Sequence, residues 1–337
     1  MLRIGIIGAG HFAKAHLNAL ERLRDDVRVT RVARRDMDRP FPEAEAVGAV
    51  LTPPEELMRA ADVDAVVVCT TNDLHRHYAE AALRAGKDVF CEKPLAMNVA
   101  DADAVLRAAN ESGRLLMVGH LARHIPVYAT VAEIVESGRL GAPRYAYVNR
   151  MHCGGGGRSW RMDPDVGGGV VFDLLIHDLD LLTWYLGRPA SVAARGHRHA
   201  QGGYDYLAAI FTYPDGVTAV AEGGFVFRPP AGLRSMLRLV CERGHIEVNT
   251  SDTEAPVRVF EEGVPEEKIS AKLDNLLVEG LVAEHKEFLA AVQGGAQGRL
   301  RAEDARQAVA CAEAAIRAAT TAETVVFDDE PPGAVHA

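Results

Sequence analysis

Four ionisable residues interrupt an otherwise apolar stretch, GGGVVFDLLIHDLDLLTWYLG, at residues 167–187. They are Asp173, His177, Asp178 and Asp180. A helix this apolar is expected to be buried, and burying an ionisable group is costly unless the group is paired or used. Because positions three and four apart share one helical face, Asp173, His177 and Asp180 form a single polar stripe. Asp178 points elsewhere, and we expect it to meet water.

Two interpretations of this stripe are open. In the first, His177 is a core histidine whose ring is satisfied by Asp173 one turn earlier. In the second, the stripe faces a cleft and His177 transfers protons, as an imidazole can near neutral pH. The choice between them depends on the rest of the chain.

A glycine-rich loop near the start of the chain, in RIGIIGAGHFAKAHL, is typical of a phosphate-binding turn. Gly8 permits a tight turn, Gly10 lets the backbone approach a pyrophosphate, and Ala13 is small enough for close helix–strand packing. The pyrophosphate would bind at the helix N-terminus, where free N–H groups favour anions. We add His11 and Phe12, the next two residues, to the predicted cofactor-binding set. The alternative is a glycine turn without a ligand.

The end of the second predicted strand, VRVTRVA, bears on which dinucleotide is bound. An NAD site usually has an acidic residue there for the adenosine ribose, whereas this chain has Arg34 and Arg35. Two guanidinium groups suit a 2′-phosphate, which favours NADP(H). NAD(H) is the alternative, with both arginines in solvent and Asp36 on the ribose.

Another charged turn, Glu92-Lys93-Pro94, follows the strand KDVFC. In open α/β sheets the carboxyl edge of the strands lines the ligand crevice, so Lys93 is predicted to lie near the cofactor. The alternative is an ordinary surface charge pair.

Glycine runs at 154–157 and 167–169 bracket a short arm that carries Arg158, Trp160 and Arg161. Such a segment can fold over a bound ligand and exclude water. The alternative is a flexible connection that does not contact the substrate.

The elements that must position these residues fall into two patterns. Up to about residue 120, strand-like and helix-like stretches alternate, which predicts a parallel sheet with helices on both faces. After about residue 140, longer strands follow, with hairpins at 214–216 and 243–244. The predicted fold class is α/β, with an N-terminal Rossmann dinucleotide-binding domain and a C-terminal α+β domain built on a large, mostly antiparallel open sheet. The corresponding domain bounds are 1–120 and 121–330, with a tail at 331–337.

The composition of the chain limits which kinds of binding partner we expect. The 337-residue chain has a formal net charge of −10, which argues against nucleic-acid or anionic-membrane surfaces. Its five cysteines show no metal-ligand or redox spacing, so we expect free thiols, no metal and a reducing cytoplasm. The N-terminus lacks the h-region of a signal peptide, and no run is long enough to span a bilayer.

Taken together, five segments resemble the glucose–fructose oxidoreductase/inositol dehydrogenase (Gfo/Idh/MocA) family. They are GIIGAGHFAKAHL, VVVCTTNDLHRHYAEAALRAGKDVFCEKPLA, VGHLARHIPVY, WRMDP and GGGVVFDLLIHDLDLL. The resemblance implies that Lys93 is the catalytic lysine, that Asp173 and His177 complete the catalytic set, and that Glu92 helps to hold the nicotinamide-side ribose. Further residues that it implies for the cofactor cleft are Thr70, Thr71, Asn72 and His75. Those that it implies near the sugar are Arg123, Trp160 and Arg161.

The sequence departs from the family pattern in two places. Thr71 replaces the usual proline of a T-P-N turn, and Arg34 stands where many members have an acidic residue. The second departure again favours NADP(H).

The expected function is hydride transfer between NAD(P) and a hydroxyl or keto carbon of a sugar, sugar derivative or cyclitol. His177 would exchange the hydroxyl proton, Lys93 would stabilise the alkoxide, and Asp173 would orient His177 or the substrate. Two alternatives are a cofactor-assisted glycoside hydrolase and a non-catalytic dinucleotide sensor. The resemblance implies a homodimer or homotetramer.

Overall fold

The computed structural model describes residues 1–153, 159–296 and 298–327. These residues form two compact units. The first contains Met1–His124 and Asn275–Arg306, and the second contains Ile125–Asp274 and residues 307–327.

The first unit is built on strands that alternate with helices. Its strands are β1 (Leu2–Ile7), β2 (Val27–Ala33), β3 (Val50–Thr52), β4 (Ala65–Val68), β5 (Asp88–Glu92) and β6 (Leu116–Gly119). Its first helices are α1 (His11–Glu21), α2 (Pro42–Ala46), α3 (Pro54–Arg59), α4 (His75–Arg84) and α5 (Val99–Ser112).

These strands form a six-stranded sheet in the order β3-β2-β1-β4-β5-β6, and every neighbouring pair is parallel. The central strand β4 is fully buried, as its unbroken apolar run AVVV requires. Strand order reverses between β1 and β4, where ligands bind in sheets of this kind. The Rossmann prediction is therefore confirmed, and the loops after β1 and β4 lie at the switch point.

The second unit contains helices α6 (Pro126–Glu136), α7 (Ser159–Met162) and α8 (Ile176–Leu186) and a large sheet. Its strands are β7 (Pro143–Met151), β8 (Ser191–Arg198), β9 (Tyr204–Thr212), β10 (Thr218–Gly224), β11 (Arg234–Cys241), β12 (Gly244–Asn249), β13 (Val257–Glu261), β14 (Glu267–Ile269) and β15 (Val325–Val326).

These nine strands take the order β14-β13-β12-β11-β7-β10-β9-β8-β15. Only β7 and β10 pair in parallel; the other neighbours are antiparallel. Both predicted hairpins are present, as β9–β10 and β11–β12. One face of β9 is buried and the other is open, as its alternating pattern indicates. The prediction of a mostly antiparallel open sheet is confirmed.

Two further helices follow this sheet in the chain, α9 (Leu276–Val292) and α10 (Ala302–Thr321). The structure groups residues 275–306, and hence α9, with the first unit, whereas the sequence prediction assigned 121–330 to the second domain. The physical reason is apolar packing, because Leu281 and Phe288 of α9 share a core cluster with Leu17 of α1.

Candidate active site

The loop after β1 has the geometry that its glycines predict. Gly8 has φ +122°, and a Cβ there would lie 2.5 Å from the carbonyl oxygen of Cys69. Gly10 is the N-cap of α1, and a Cβ at this position would meet nothing within 4 Å. Ala13 is fully buried. The N-terminus of α1 therefore opens onto free space with no acidic residue in its first turn, which fits a pyrophosphate.

The two residues after Gly10 differ in their surroundings. His11 is exposed, which leaves its ring accessible to a ligand. Phe12 is half-buried and meets the ring of His16 edge-on at 5.6 Å between centroids. Phe12 thus contributes to packing as well as to the loop.

The end of β2 presents the two predicted arginines differently. The Arg34 guanidinium is half-buried, and its Nη1 donates to the carbonyl of Arg39 at 2.7 Å and to that of Pro40 at 3.4 Å. Arg35 and Asp36 are exposed. A positive group is therefore held at the end of β2, next to the loop that follows β1.

The segment after β4 carries the next predicted set. Thr70 and Thr71 are half-buried, and Asn72 is buried at the start of a 3₁₀ turn over Asn72–Leu74. His75 is buried, and its Nδ1 lies 2.7 Å from the carbonyl oxygen of Pro94. Burial lowers the pKa of His75, so the ring is neutral and donates its Nδ1–H to that carbonyl. His75 thus helps to hold the turn after β5.

The turn 92–94 lies at the carboxyl edge of the sheet, directly after β5, as predicted. Lys93 is half-buried, whereas Glu92 is only 6 % exposed. The Glu92 Oε2 accepts the backbone N–H of Lys93 at 3.2 Å, and Oε1 lies 3.0 Å from Nε2 of His16. Glu92 therefore holds this turn in place through contacts inside the unit, and its contact with a ribose stays a prediction.

Arg123, predicted to lie near the sugar, is 2 % exposed. Its Nη1 donates to Asp304 at 2.7 Å and to the carbonyl of Arg299 at 2.8 Å. These partners give the guanidinium a structural function in the first unit, so we do not carry Arg123 into the proposed substrate site.

In the second unit, the apolar segment forms a π-turn over Val171–Leu175 that leads directly into α8. Such turns are frequent at functional sites. Asp173 and His177 are both half-buried, whereas Asp180 is completely buried. The accessible part of the stripe is therefore Asp173 with His177, and the imidazole is not sealed in the core.

The expectation that Asp178 meets water is wrong. Asp178 is 1 % exposed and accepts two hydrogen bonds from Arg150, at 2.7 Å from Nε and 2.9 Å from Nη2. Burial works against the charged guanidinium, but Asp178 and Tyr128 outweigh this and raise the pKa of Arg150. Asp178 can lie on the apolar side of α8 because β7 supplies the buried cation Arg150 as its partner.

The described part of the predicted arm lies next to the stripe. Arg161 Nη1 is 3.4 Å from Asp173 Oδ2, and its guanidinium lies over the Trp160 ring at 5.4 Å. A Cβ on Gly167 would be 2.5 Å from Cα of Arg161, so this glycine lets the two segments meet. Residues 154–158, with Arg158, lie outside the described residues, so the predicted closing motion stays a prediction.

Two buried histidines had no clear signal in the sequence. His16 and His285 are fully buried and hydrogen-bonded to each other, although 269 positions separate them. His16 could have been noticed as a histidine on the apolar side of α1, but nothing identified its partner. The pairing depends on α9 packing against α1.

Two absences hold for the described residues. No group of three or more His, Cys, Asp or Glu side chains there is arranged to hold a metal ion. Within residues 1–153, 159–296 and 298–327, the helices are too short or too polar for any of them to span a bilayer. All five cysteines are free thiols.

Comparison with protein families gives two matches. Residues 2–120 match the model described as "Oxidoreductase family, NAD-binding Rossmann fold". Residues 128–247 match the model described as "GFO/IDH/MocA C-terminal domain".

Individual relatives extend these matches. The chain is 30 % identical to inositol 2-dehydrogenase 2 of Saccharopolyspora erythraea over 347 aligned positions, covering 100 % of this chain and 98 % of the relative. It is 35 % identical to 1,5-anhydro-D-fructose reductase of Ensifer adhaerens over 206 positions, 60 % of this chain and 62 % of that protein. The structure of levoglucosan dehydrogenase in complex with NADH superposes with a TM-score of 0.85 at 19 % identity, over 96 % of this chain and 98 % of that one. This last likeness concerns the fold alone.

Proposed function

Because this chain belongs to the GFO/IDH/MocA family of oxidoreductases, we propose that it transfers a hydride between NADP(H) and a hydroxyl or keto carbon of a sugar, sugar derivative or cyclitol. The observation that carries the proposal is the open N-terminus of α1, with Lys93 at the carboxyl edge of the same sheet. A dinucleotide loop and a lysine at one edge suit a redox reaction on an oxygen-bearing carbon.

The residues proposed to hold the cofactor surround the ends of β1, β2 and β4. Gly8 permits the tight turn, Gly10 lets the backbone approach the pyrophosphate, and α1 directs its free N–H groups toward it. Arg34 and Arg35 are proposed for the 2′-phosphate, which is why we prefer NADP(H) to NAD(H). When bound, the nicotinamide ring supplies the hydride acceptor or donor.

The chemistry assigned to this chain's own residues is proton transfer and charge stabilisation. His177 takes the hydroxyl proton in oxidation and returns it in reduction. The Lys93 ammonium stabilises the negative charge that develops on the substrate oxygen. Asp173 orients the imidazole or a substrate hydroxyl, and Arg161, 3.4 Å from Asp173, is proposed together with Trp160 for sugar contact.

Cofactor choice is tested by titrating the protein with NADPH and with NADH and following ligand fluorescence. We expect tighter binding of NADPH and a loss of that preference in the Arg34→Ala, Arg35→Ala double variant. The Arg24→Ala variant, an exposed arginine on the same unit, is the matched control. Equal affinity of the wild type for both cofactors would contradict the assignment.

Turnover is tested by a screen of polyols, aldoses and keto-sugars that follows nicotinamide absorbance. With an accepted substrate, Lys93→Ala should lower kcat/KM by roughly 10²–10³-fold. His177→Ala should lower it by roughly 10²–10⁴-fold. Lys286→Ala and His77→Ala, at exposed positions, are the controls. Unchanged turnover in both catalytic variants would refute the assigned chemistry, and release of a leaving group without net absorbance change would identify the glycoside hydrolase alternative.

We also propose a homodimer or homotetramer that uses the open face of the large sheet. Ile210 and Met236 on this face are 50 % and 45 % exposed, and Ile210 pairs with Val220 on the neighbouring strand. Large apolar side chains exposed on an open sheet face are candidates for burial against a second copy of the chain. Light scattering of the wild type and of Ile210→Arg tests this, with a smaller species expected for the variant. An unchanged mass would show that this face is not the interface.

A further inference from the structure

A buried chain of hydrogen bonds runs through the first unit from α9 to the turn after β5. His285 Nε2 lies 2.9 Å from Nδ1 of His16, and His16 Nε2 lies 3.0 Å from Oε1 of Glu92. The other Glu92 oxygen accepts the Lys93 backbone N–H at 3.2 Å. Both histidines are completely buried, so the chain links a distant helix to the backbone of the proposed catalytic lysine.

Aromatic side chains enclose this chain. The Phe90 ring lies 5.9 Å from that of His16 and 5.0 Å from that of His285, and Phe288 packs on Phe90 at 5.7 Å. In such surroundings hydrogen bonds are stronger than in water, and an unpaired polar group is costly. Each ring nitrogen therefore has one favoured protonation state.

The available donors and acceptors determine which atom donates in each of these hydrogen bonds. A carboxylate only accepts hydrogen bonds, so His16 must donate Nε2–H to Glu92. With its one ring proton on Nε2, His16 has a lone pair on Nδ1, which must accept Nε2–H from His285. Among the described residues, Nδ1 of His285 has no hydrogen-bond partner, so this position carries the lone pair rather than a buried proton.

The electrostatics agree with a neutral His285. Burial holds the pKa of His285 well below its usual range. A proton on Nδ1 would place an unpaired cation among aromatic rings.

We propose that His285 is a positioning residue that locks His16 in its Nε2–H tautomer and so fixes Glu92 and the Lys93 backbone for catalysis. The inference rests on the proposed function only for the role of Lys93 in turnover. The hydrogen-bond chain itself makes a separate structural claim. Gly119 is consistent with it, because a Cβ there would lie 3.1 Å from Glu92 Oε1 and disturb the carboxylate.

Two substitutions separate the hydrogen bond from the volume of the side chain. His285→Gln keeps an N–H donor toward His16, whereas His285→Phe fills the aromatic site without one. His245→Phe is the matched control, since His245 stacks on Phe260 in the other unit at 4.4 Å. The amount of folded protein is normalised by counting NADPH-binding sites.

The first readout is nitrogen-15 NMR of the histidine rings, which reports each tautomer and needs no substrate. We expect the Nε2–H tautomer for His16 in the wild type and in His285→Gln, and a mixture in His285→Phe together with a shifted Lys93 amide signal. A wild-type His16 that is the Nδ1–H tautomer or doubly protonated overturns the proposal, whether or not any variant folds.

The second readout is steady-state turnover of whichever polyol or sugar the wild type accepts. His285→Phe should lower kcat per NADPH site by about tenfold to a hundredfold, the range seen when an outer partner of a functional ligand is removed. KM and NADPH affinity should stay close to wild type, and His285→Gln should recover most of kcat. Wild-type kcat in folded His285→Phe overturns the positioning role. If the wild type turns over no polyol or sugar, the proposed function fails, while the tautomer measurement still decides the structural claim.

Discussion

The two units of this protein each bury a polar cluster, and the clusters differ in where their hydrogen bonds lead. In the second unit, Arg150 and Asp178 bind each other through two hydrogen bonds, and Tyr128 and Ser235 complete a closed group. In the first unit, the chain from His285 through His16 and Glu92 continues to the Lys93 backbone.

This difference separates two uses of buried polarity. The closed cluster joins α8 to β7, and it fixes the rotation of α8 because Asp178 must face Arg150. His177 is the adjacent residue and therefore points away from the side of α8 that faces Arg150. Its side chain is half-buried. The open-ended chain sets the orientation of a turn proposed to do chemistry. The closed cluster should therefore control the stability of the fold. The open-ended chain should control turnover and the sensitivity of the fold to acid.

The largest expected effect is on the closed cluster. Arg150→Met leaves Asp178 as a buried carboxylate without its cation, which should lower the free energy of unfolding by about 3–5 kcal/mol. Urea denaturation measures this loss. Arg144→Met, whose side chain is 63 % exposed beside Glu242, is the control, with a loss of no more than about 1 kcal/mol. Equal losses in the two variants would mean that the buried Arg150–Asp178 pair stabilises the fold no more than the exposed Arg144–Glu242 pair does.

Arg123 tests whether a buried arginine of the first unit is also structural. Arg123→Met removes the hydrogen bonds to Asp304 and Arg299, and it should cost about 1.5–3 kcal/mol of unfolding free energy. KM for the sugar should not change. If KM rose at least tenfold with unchanged stability, the resemblance-based assignment of Arg123 to the substrate site would be restored.

The smallest expected effect is the acid sensitivity that buried His285 confers. The folded-state pKa of His285 is lowered, so below pH 6.5 the unfolded chain binds a proton that the folded chain does not. Stability contributed by neutral His285 is complete above pH 6.5. It is lost as pH falls from there toward the folded-state pKa, by up to about 1.4 kcal/mol per pH unit.

His285→Gln should therefore show a shallower fall in unfolding free energy between pH 6.5 and 5 than the wild type. Urea denaturation at pH 7.5, 6.5, 5.8 and 5.0 measures both slopes. His245→Phe serves again as the control and should keep the wild-type slope. Identical slopes in wild type and His285→Gln would show that His285 is not held neutral by its surroundings.

Local patterns were sufficient for much of the fold and for part of the site. Alternating strands and helices predicted the parallel sheet, and the glycine spacing predicted the turn that Gly8 makes at φ +122°. The position of Lys93 directly after β5 followed from the same alternation. These features depend on backbone conformation and on periods of two or 3.6 residues, which neighbouring residues specify.

Long-range packing decided the rest. Helical spacing placed Asp178 outside the stripe, but water and Arg150 are equally compatible with that spacing, and only the approach of β7 made the carboxylate a buried partner. The same applies to Arg123 with Asp304, and to His16 with His285. An ionisable side chain takes its role from the charges and dielectric around it, and those come from residues that are far away in the chain. The amino-acid order thus specified which groups were present and on which elements, whereas the folded packing specified which of them are paired, which are neutral and which remain accessible.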